Sequence, residues 1–247
     1  MSSPLFFMHI PKTAGTSLRY LLEREYRPHL GVYYPPHVPE SLPSDTEYQA
    51  VTGHFKWGFH GTQPARYVTF LREPFKQLVS HYRHIQRSNH PDHQPFKDLG
   101  WVAFAKTPFA SNIQTAYLLG LADGSQLTAA DGERAFARLM SFEAFGITEQ
   151  FDASIVMMWS ALGWRRPLYL TINQGEGAQP TLDAELIQAL QATQPADQRL
   201  YALALQAFES RWKEVAHSGL KLRLYRLLNA GYTQLTPWLV RAKQALK

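Results

Sequence analysis

Between His9 and Leu18 the chain reads HIPKTAGTSL, which sets Lys12, Thr13, Ala14, Gly15, Thr16 and Ser17 between a short apolar run and a helical pattern. A lysine, three hydroxyls and the first amides of a helix are the groups that hold a tetrahedral anion. Those amides lack intrahelical partners and carry the positive end of the helix dipole. Gly15 is the residue expected to let the backbone turn tightly. A second set lies in YVTFLREPFKQLVSHY, Tyr67 to Tyr82, where Arg72 ends an apolar run and Ser80 follows eight residues later. Arginine presents a planar fork of donors, and a serine one to two turns into the next helix can add a hydroxyl to the same anion. The third is His54 in VTGHFKWG, Val51 to Gly58. A neutral imidazole can take a proton from a hydroxyl near neutral pH. Taken singly, these residues are also met as a helix cap, a surface ion pair and a loop histidine; the combination favours a binding and reaction site.

Elements must bring the three together. Pro4 to Ile10 reads as a buried parallel strand and Thr16 to Tyr26 as a helix with apolar spacing. Residues 28–47 are proline-rich and read as an extended surface segment. Further strands are expected at Gln49 to Thr52, Arg66 to Leu71, Phe145 to Thr148 and Leu168 to Ile172. Pro74 is well placed to open a helix reaching about Arg87. Helices are also expected near 98–105, 110–120, 131–142 and 151–162, and from about Leu182 onward. Alternation of strands and helices implies a largely parallel sheet covered on both faces, and such sheets collect ligands at the carboxyl ends of their strands.

Composition narrows the classes. The chain has 247 residues, 45% of them hydrophobic and 18% charged, enough to bury one large α/β core. It has no cysteine, which excludes a disulfide scaffold, a thiol nucleophile and cysteine-ligated metal. The net charge of +5 suggests anionic partners. A nucleotide triphosphatase loop places its lysine after the second glycine, whereas Lys12 precedes Gly15, and no apolar strand ends in an aspartate placed to hold magnesium. A nucleotide-dependent phosphotransferase is therefore the weaker alternative. No basic, apolar leader and no run of about 18 apolar residues is present, so a cytoplasmic chain without a transmembrane segment is expected.

On these motifs the sequence resembles the sulfotransferases that use 3′-phosphoadenosine 5′-phosphosulfate (PAPS), especially the carbohydrate branch with the heparan sulfate 2-O- and chondroitin-type enzymes. The matching residues are Pro11 to Leu18, and Leu71, Arg72, Pro74, Ser80 and Tyr82; GITEQFD, Gly146 to Asp152, and SNIQTAYLLG, Ser111 to Gly120, are similar to further family segments. The resemblance spans about residues 4–173. It implies a P-loop-like three-layer α/β fold in one domain, with a cofactor-binding core at about 4–173 and a helical part at about 180–247. It also implies that the first loop holds the 5′-phosphosulfate, that Arg72 and Ser80 hold the 3′-phosphate, and that His54 is the base. Lys12 would then stabilise the leaving phosphate oxygen, with no metal required. Where relatives carry a second arginine this chain has Gln77; Lys76 or Arg83 are the candidate substitutes. The implied partner is a hydroxyl acceptor, such as an anionic glycan, and not nucleic acid. A non-catalytic nucleotide- or glycan-binding relative is the other alternative.

Several features carry less. His81, His84, His90 and His93 lie close in sequence but lack a metal-binding helix motif, so a solvated or anion-facing cluster is expected and not a metal site. His60 is a second candidate base. Trp57, Phe59, Trp101 and Phe104 could stack on a ring but are more often core residues. Asn112, Gln114 and Asn173 are candidate nucleotide contacts. Basic residues concentrate in the C-terminal helices, including Trp238 to Lys247, which could form a weak contact surface.

Overall fold

A computed structural model describes residues 3–35, 38–43, 47–165, 167–170 and 182–236. Five strands form one sheet: β1 (Leu5–Met8), β2 (Leu30–Tyr33), β3 (Ala50–Gly53), β4 (Arg66–Leu71) and β5 (Ala144–Ile147). Their order is β2-β3-β1-β4-β5 and every pairing is parallel. Ten α-helices are described: α1 (Gly15–Tyr26), α2 (Pro74–Arg87), α3 (Gln94–Lys97), α4 (Trp101–Ala105), α5 (Ile113–Leu119), α6 (Ala129–Leu139), α7 (Phe151–Leu162), α8 (Ala184–Gln191), α9 (Pro195–Glu214) and α10 (Ser218–Leu235).

Strand side chains alternate between two apolar layers, as a sheet covered on both faces requires. Phe6, Met8, Val51, Tyr67, Leu71, Phe145 and Ile147 pack with residues of α5, α6 and α9. Leu5, Phe7, Ala50, Val68, Phe70 and Ala144 pack with α1, α7 and Tyr225 of α10. A smaller cluster joins Leu78 and Ile85 of α2 to Phe104 of α4 and Leu190 of α8. Trp57, Phe59 and Phe104 belong to these layers, and Trp101 packs against Tyr82 with ring centroids 3.9 Å apart and planes tilted by 32°.

Two strand expectations change. The proline-rich segment contains β2, whose four residues run parallel to β3 at the edge of the sheet. A run so short among prolines shows no alternation; its pairing with β3 makes it a strand. The strand expected at Leu168 to Ile172 is not found over 168–170, which have no regular structure, and 171–172 lie outside the described residues, as do Asn173 and Trp238 to Lys247.

Candidate functional site

Register places the three sequence signals together. Gly53, Met8 and Thr69 stand side by side across β3, β1 and β4, so His54, the loop carrying Lys12, and Arg72 all leave the sheet at the same end. Thr69 ties two of these strands by donating from Oγ1 to the carbonyl of Met8 at 2.8 Å.

The loop after β1 turns without a glycine. Lys12 and Ala14 both adopt left-handed backbone conformations, with φ of 67° and 66°. Such conformations cost non-glycine residues free energy and persist only where surrounding structure holds them. Three contacts hold this one. Thr13, fully buried, donates from Oγ1 to the carbonyl of Ile10 at 2.9 Å. Gln77 Nε2 donates to the carbonyl of Pro11 at 3.0 Å, and Arg72 Nη1 donates to the carbonyl of Lys12 at 3.0 Å. Gly15 lies in the first turn of α1, and its role differs from the expectation: a Cβ there would sit 1.9 Å from the His9 ring. The glycine is needed for close approach, whereas the turn is made by its neighbours.

Ala14 is the N-cap of α1 and supplies no side-chain acceptor, and the first turn has no acidic residue. Among the described residues no side chain caps the leading amides of α1, which lie beside the half-exposed Thr16 and Ser17 and are donors of the kind an anion accepts from. The start of α2 is different. Pro74 occupies its first turn as the sequence predicts, and Glu73 accepts from the amides of Phe75 and Lys76. Its own carboxylate thus satisfies that helix end.

Arg72 is clamped by its backbone. Gln114 accepts from the Arg72 amide through Oε1 at 2.9 Å and donates to the Arg72 carbonyl through Nε2 at 2.9 Å. Gln114 and Asn112 are both 1% exposed, so their amides are committed to the fold and are not the nucleotide contacts expected for them. Asn112 binds Ser111, Gly124, Ala196 and Asp197, while the Asp197 carboxylate accepts from the amides of Gln114 and Thr115. Burial raises Asp197 to about 6 against those hydrogen bonds. Among the described residues the buried Nε of Arg72 has no hydrogen-bond partner. A buried unpaired guanidinium donor is costly, and an anion at this position would satisfy it. Ser80 is half-buried on α2 beyond it.

His54 Nδ1 lies 2.6 Å from the carbonyl oxygen of His9. A carbonyl can only accept, so Nδ1 carries the proton and Nε2 carries the lone pair. Burial, reinforced by Lys12 and Arg19 and opposed by the His9 carbonyl, lowers His54 to about 4. The His9 ring is 4.5 Å from the His54 ring, and its Nδ1 pairs with the Tyr34 hydroxyl at 2.8 Å. Burial lowers His9 well below the usual imidazole range and raises Tyr34 to about 12. His60 sits elsewhere, between Phe6 and Trp57, with Nδ1 2.9 Å from the Tyr67 hydroxyl. The structure thus joins Lys12, Gly15, Arg72 and His54 at one edge and leaves His60 in an aromatic cluster.

His9 and Tyr34 were not among the sequence candidates, and Gln114 was one as a nucleotide contact and not as a clamp on Arg72. Only His9 left a trace, as the polar end of an apolar run. His81 is 2% exposed and lowered to about 3 by burial, with Lys12 as the next cause, so it is not solvated. Among the described residues, no group of three or more histidines and carboxylates is placed to hold a metal ion. Within the same residues, no helix is long and apolar enough to cross a membrane.

No protein-family model matches the sequence, and no curated protein matches it. Among solved structures the chain is similar to mouse sulfotransferase SULT7A1 complexed with PAP, at 14% identity and a TM-score of 0.43, over 77% of this chain and 64% of that one. The chain therefore spans less than two thirds of that structure.

Proposed function

We propose that this chain is a sulfotransferase that moves the sulfuryl group of PAPS to a hydroxyl of a carbohydrate, without a metal. The observation that carries the reading is the pairing of His54 Nδ1 with the His9 carbonyl, which leaves Nε2 as the lone pair of a ring that leaves the sheet at the same end as Lys12 and Arg72. The donor set suits a nucleotide with two anionic groups: an α1 N-terminus with no side-chain cap, and a buried Arg72 Nε with no hydrogen-bond partner among the described residues.

PAPS supplies a sulfuryl group already joined to a phosphate leaving group. In this reading Lys12, the loop amides of Thr13 and Ala14, and the first amides of α1, those of Gly15, Thr16 and Ser17, bind the 5′ end. Lys12 also offsets the charge that grows on the leaving oxygen as its bond to sulfur breaks. Arg72 and Ser80 hold the 3′-phosphate. His54 Nε2 takes the proton of the acceptor hydroxyl as the new oxygen–sulfur bond forms, and His9 keeps the ring in the tautomer that this requires. Gln77, at the place of the absent second arginine, contributes by bracing the Pro11 carbonyl instead of adding a charge.

The test is transfer of label from PAPS, with the sulfur radioactive, to a panel of glycans and simple alcohols. The wild-type chain is expected to label one class of them, while Lys12→Ala and His54→Ala should each fall by roughly 100-fold or more. In parallel, adenosine 3′,5′-bisphosphate at about 100 times its Kd should stabilise the fold by about 2.7 kcal/mol, and ATP with magnesium should not. Undiminished transfer by a folded His54→Ala protein would remove the base from the mechanism. Stabilisation by magnesium ATP alone would point to phosphoryl transfer.

A further inference from the structure

On its inner side α10 is fastened to the rest of the molecule. Tyr225 is buried and donates to the carbonyl of Pro167, Asn229 accepts from the Tyr169 amide, Arg226 pairs with Asp152 at 2.8 Å, and the Tyr232 hydroxyl meets that of Tyr20. With one face so occupied, an ordinary surface helix would turn polar residues outward. This helix does the opposite. Leu220, Leu224, Leu227 and Leu228 are 59, 52, 71 and 60% exposed. Their spacing of four, three and one puts them on a single stripe of an α-helix, and Gly231 continues it one turn further, with nothing within 4 Å of where a Cβ would stand.

The charges around the stripe identify what it faces. At 100° per residue the exposed Arg223 borders one side of the leucines and the exposed Lys221 the other. No aspartate or glutamate occurs anywhere in α10. In sequence the cationic character continues beyond it, where 237–247 adds Arg241, Lys243 and Lys247 with Trp238, Leu239 and Val240 and again no acid. A second copy of the same helix would bring cations onto cations along both borders of the leucines. An apolar stripe bordered by cations on both sides instead matches the boundary of an anionic bilayer, where leucines enter the acyl region and lysine and arginine reach the headgroups.

We propose that α10 is an interfacial helix that holds this protein against a membrane containing anionic lipid. The inference is independent of the sulfotransferase reading, since it uses none of that site's residues. The anchoring face keeps α10 attached to the fold while the leucine face is in lipid, so binding needs no unfolding.

Flotation of the full chain with phosphatidylcholine vesicles, and with the same vesicles containing phosphatidylglycerol, tests this directly. Binding is expected to the anionic vesicles and to weaken as salt is raised. Neutralising Lys221 and Arg223 with K221Q and R223Q should lower the partition coefficient roughly fivefold for each charge removed. L224Q with L227Q should abolish flotation while leaving the thermal midpoint and helical signal unchanged, because both leucines are exposed. Failure to float with anionic vesicles overturns the proposal, as does flotation that survives the leucine changes. A concentration-dependent dimer abolished by L224Q with L227Q, without vesicle binding, would assign the stripe to a second copy and overturn it equally.

Discussion

His54 illustrates how one hydrogen bond selects a tautomer. The 2.6 Å contact with the His9 carbonyl removes Nδ1 from consideration as a base and leaves Nε2 as the lone pair. Because His54 is lowered to about 4, the ring is neutral across the ordinary range and its charged form appears only on strong acidification. The acid limb of kcat/KM, which reports the free protein, should therefore fall near pH 4 to 5 instead of near 6.5. Bound anions would offset the influence of Lys12 and Arg19, so the corresponding limb of kcat should lie at higher pH. A pair of pH profiles checks both, and identical limbs at 6.5 would contradict the assignment. Gln114 acts on the same site through Arg72. Gln114→Leu leaves the buried Arg72 amide and carbonyl unpaired, at a cost of about 1–3 kcal/mol each. The thermal midpoint should drop, and the Kd for adenosine 3′,5′-bisphosphate should rise roughly tenfold or more as the guanidinium loses its position. An unchanged Kd in the folded variant would reduce Gln114 to a purely structural residue.

Elements differ in how openly they announce themselves. The β4 to α2 unit is legible to the residue, since Leu71 ends an apolar run and Pro74 marks the helix start. The β1 to α1 unit is legible as well, but the physical role of Gly15 is not, because it depends on a histidine six residues earlier folding back over the helix start. Gly15→Ala should lower the thermal midpoint and weaken nucleotide binding, and adding His9→Ala should recover much of the stability by removing the ring that the new Cβ meets. Thermal melts of the single and double variants decide it; no recovery would mean that α1 needs glycine for another reason. β2 is hidden for the opposite reason, being a four-residue edge strand whose identity comes from its partner. The Gln114 clamp could not be read at all. Its partner is 42 residues away, and a glutamine in an apolar helix carries no local sign of what it holds.

Across the whole molecule, buried ionisable groups tie stability to pH. His54 and His81 accept protons in the folded state only near pH 4 and 3, and near 6.5 once unfolded; His9 shifts in the same direction. Below about 6.5 the unfolded chain therefore binds more protons, and stability falls as pH falls. Asp197 opposes this, because its carboxyl, raised from 3.8 to about 6, favours the folded state on acidification and loses that contribution as pH rises through 6. Three histidines outweigh one carboxyl, so the thermal midpoint should decline from about pH 6.5 downward, and His81→Phe should make that decline shallower. A midpoint indifferent to pH over this range would contradict the buried, neutral state of these rings. The grip of Arg72 on the Lys12 carbonyl has a different reach. It couples the two cationic strand ends so that neither drifts without the other, as the jaws of a caliper share one beam. A caliper responds to span as well as to charge: if the site holds a nucleotide as proposed, an isomer with the same two phosphates set at another separation would engage one jaw and miss the other. Selectivity among nucleotides would then be a matter of length, built into the backbone before any base is touched.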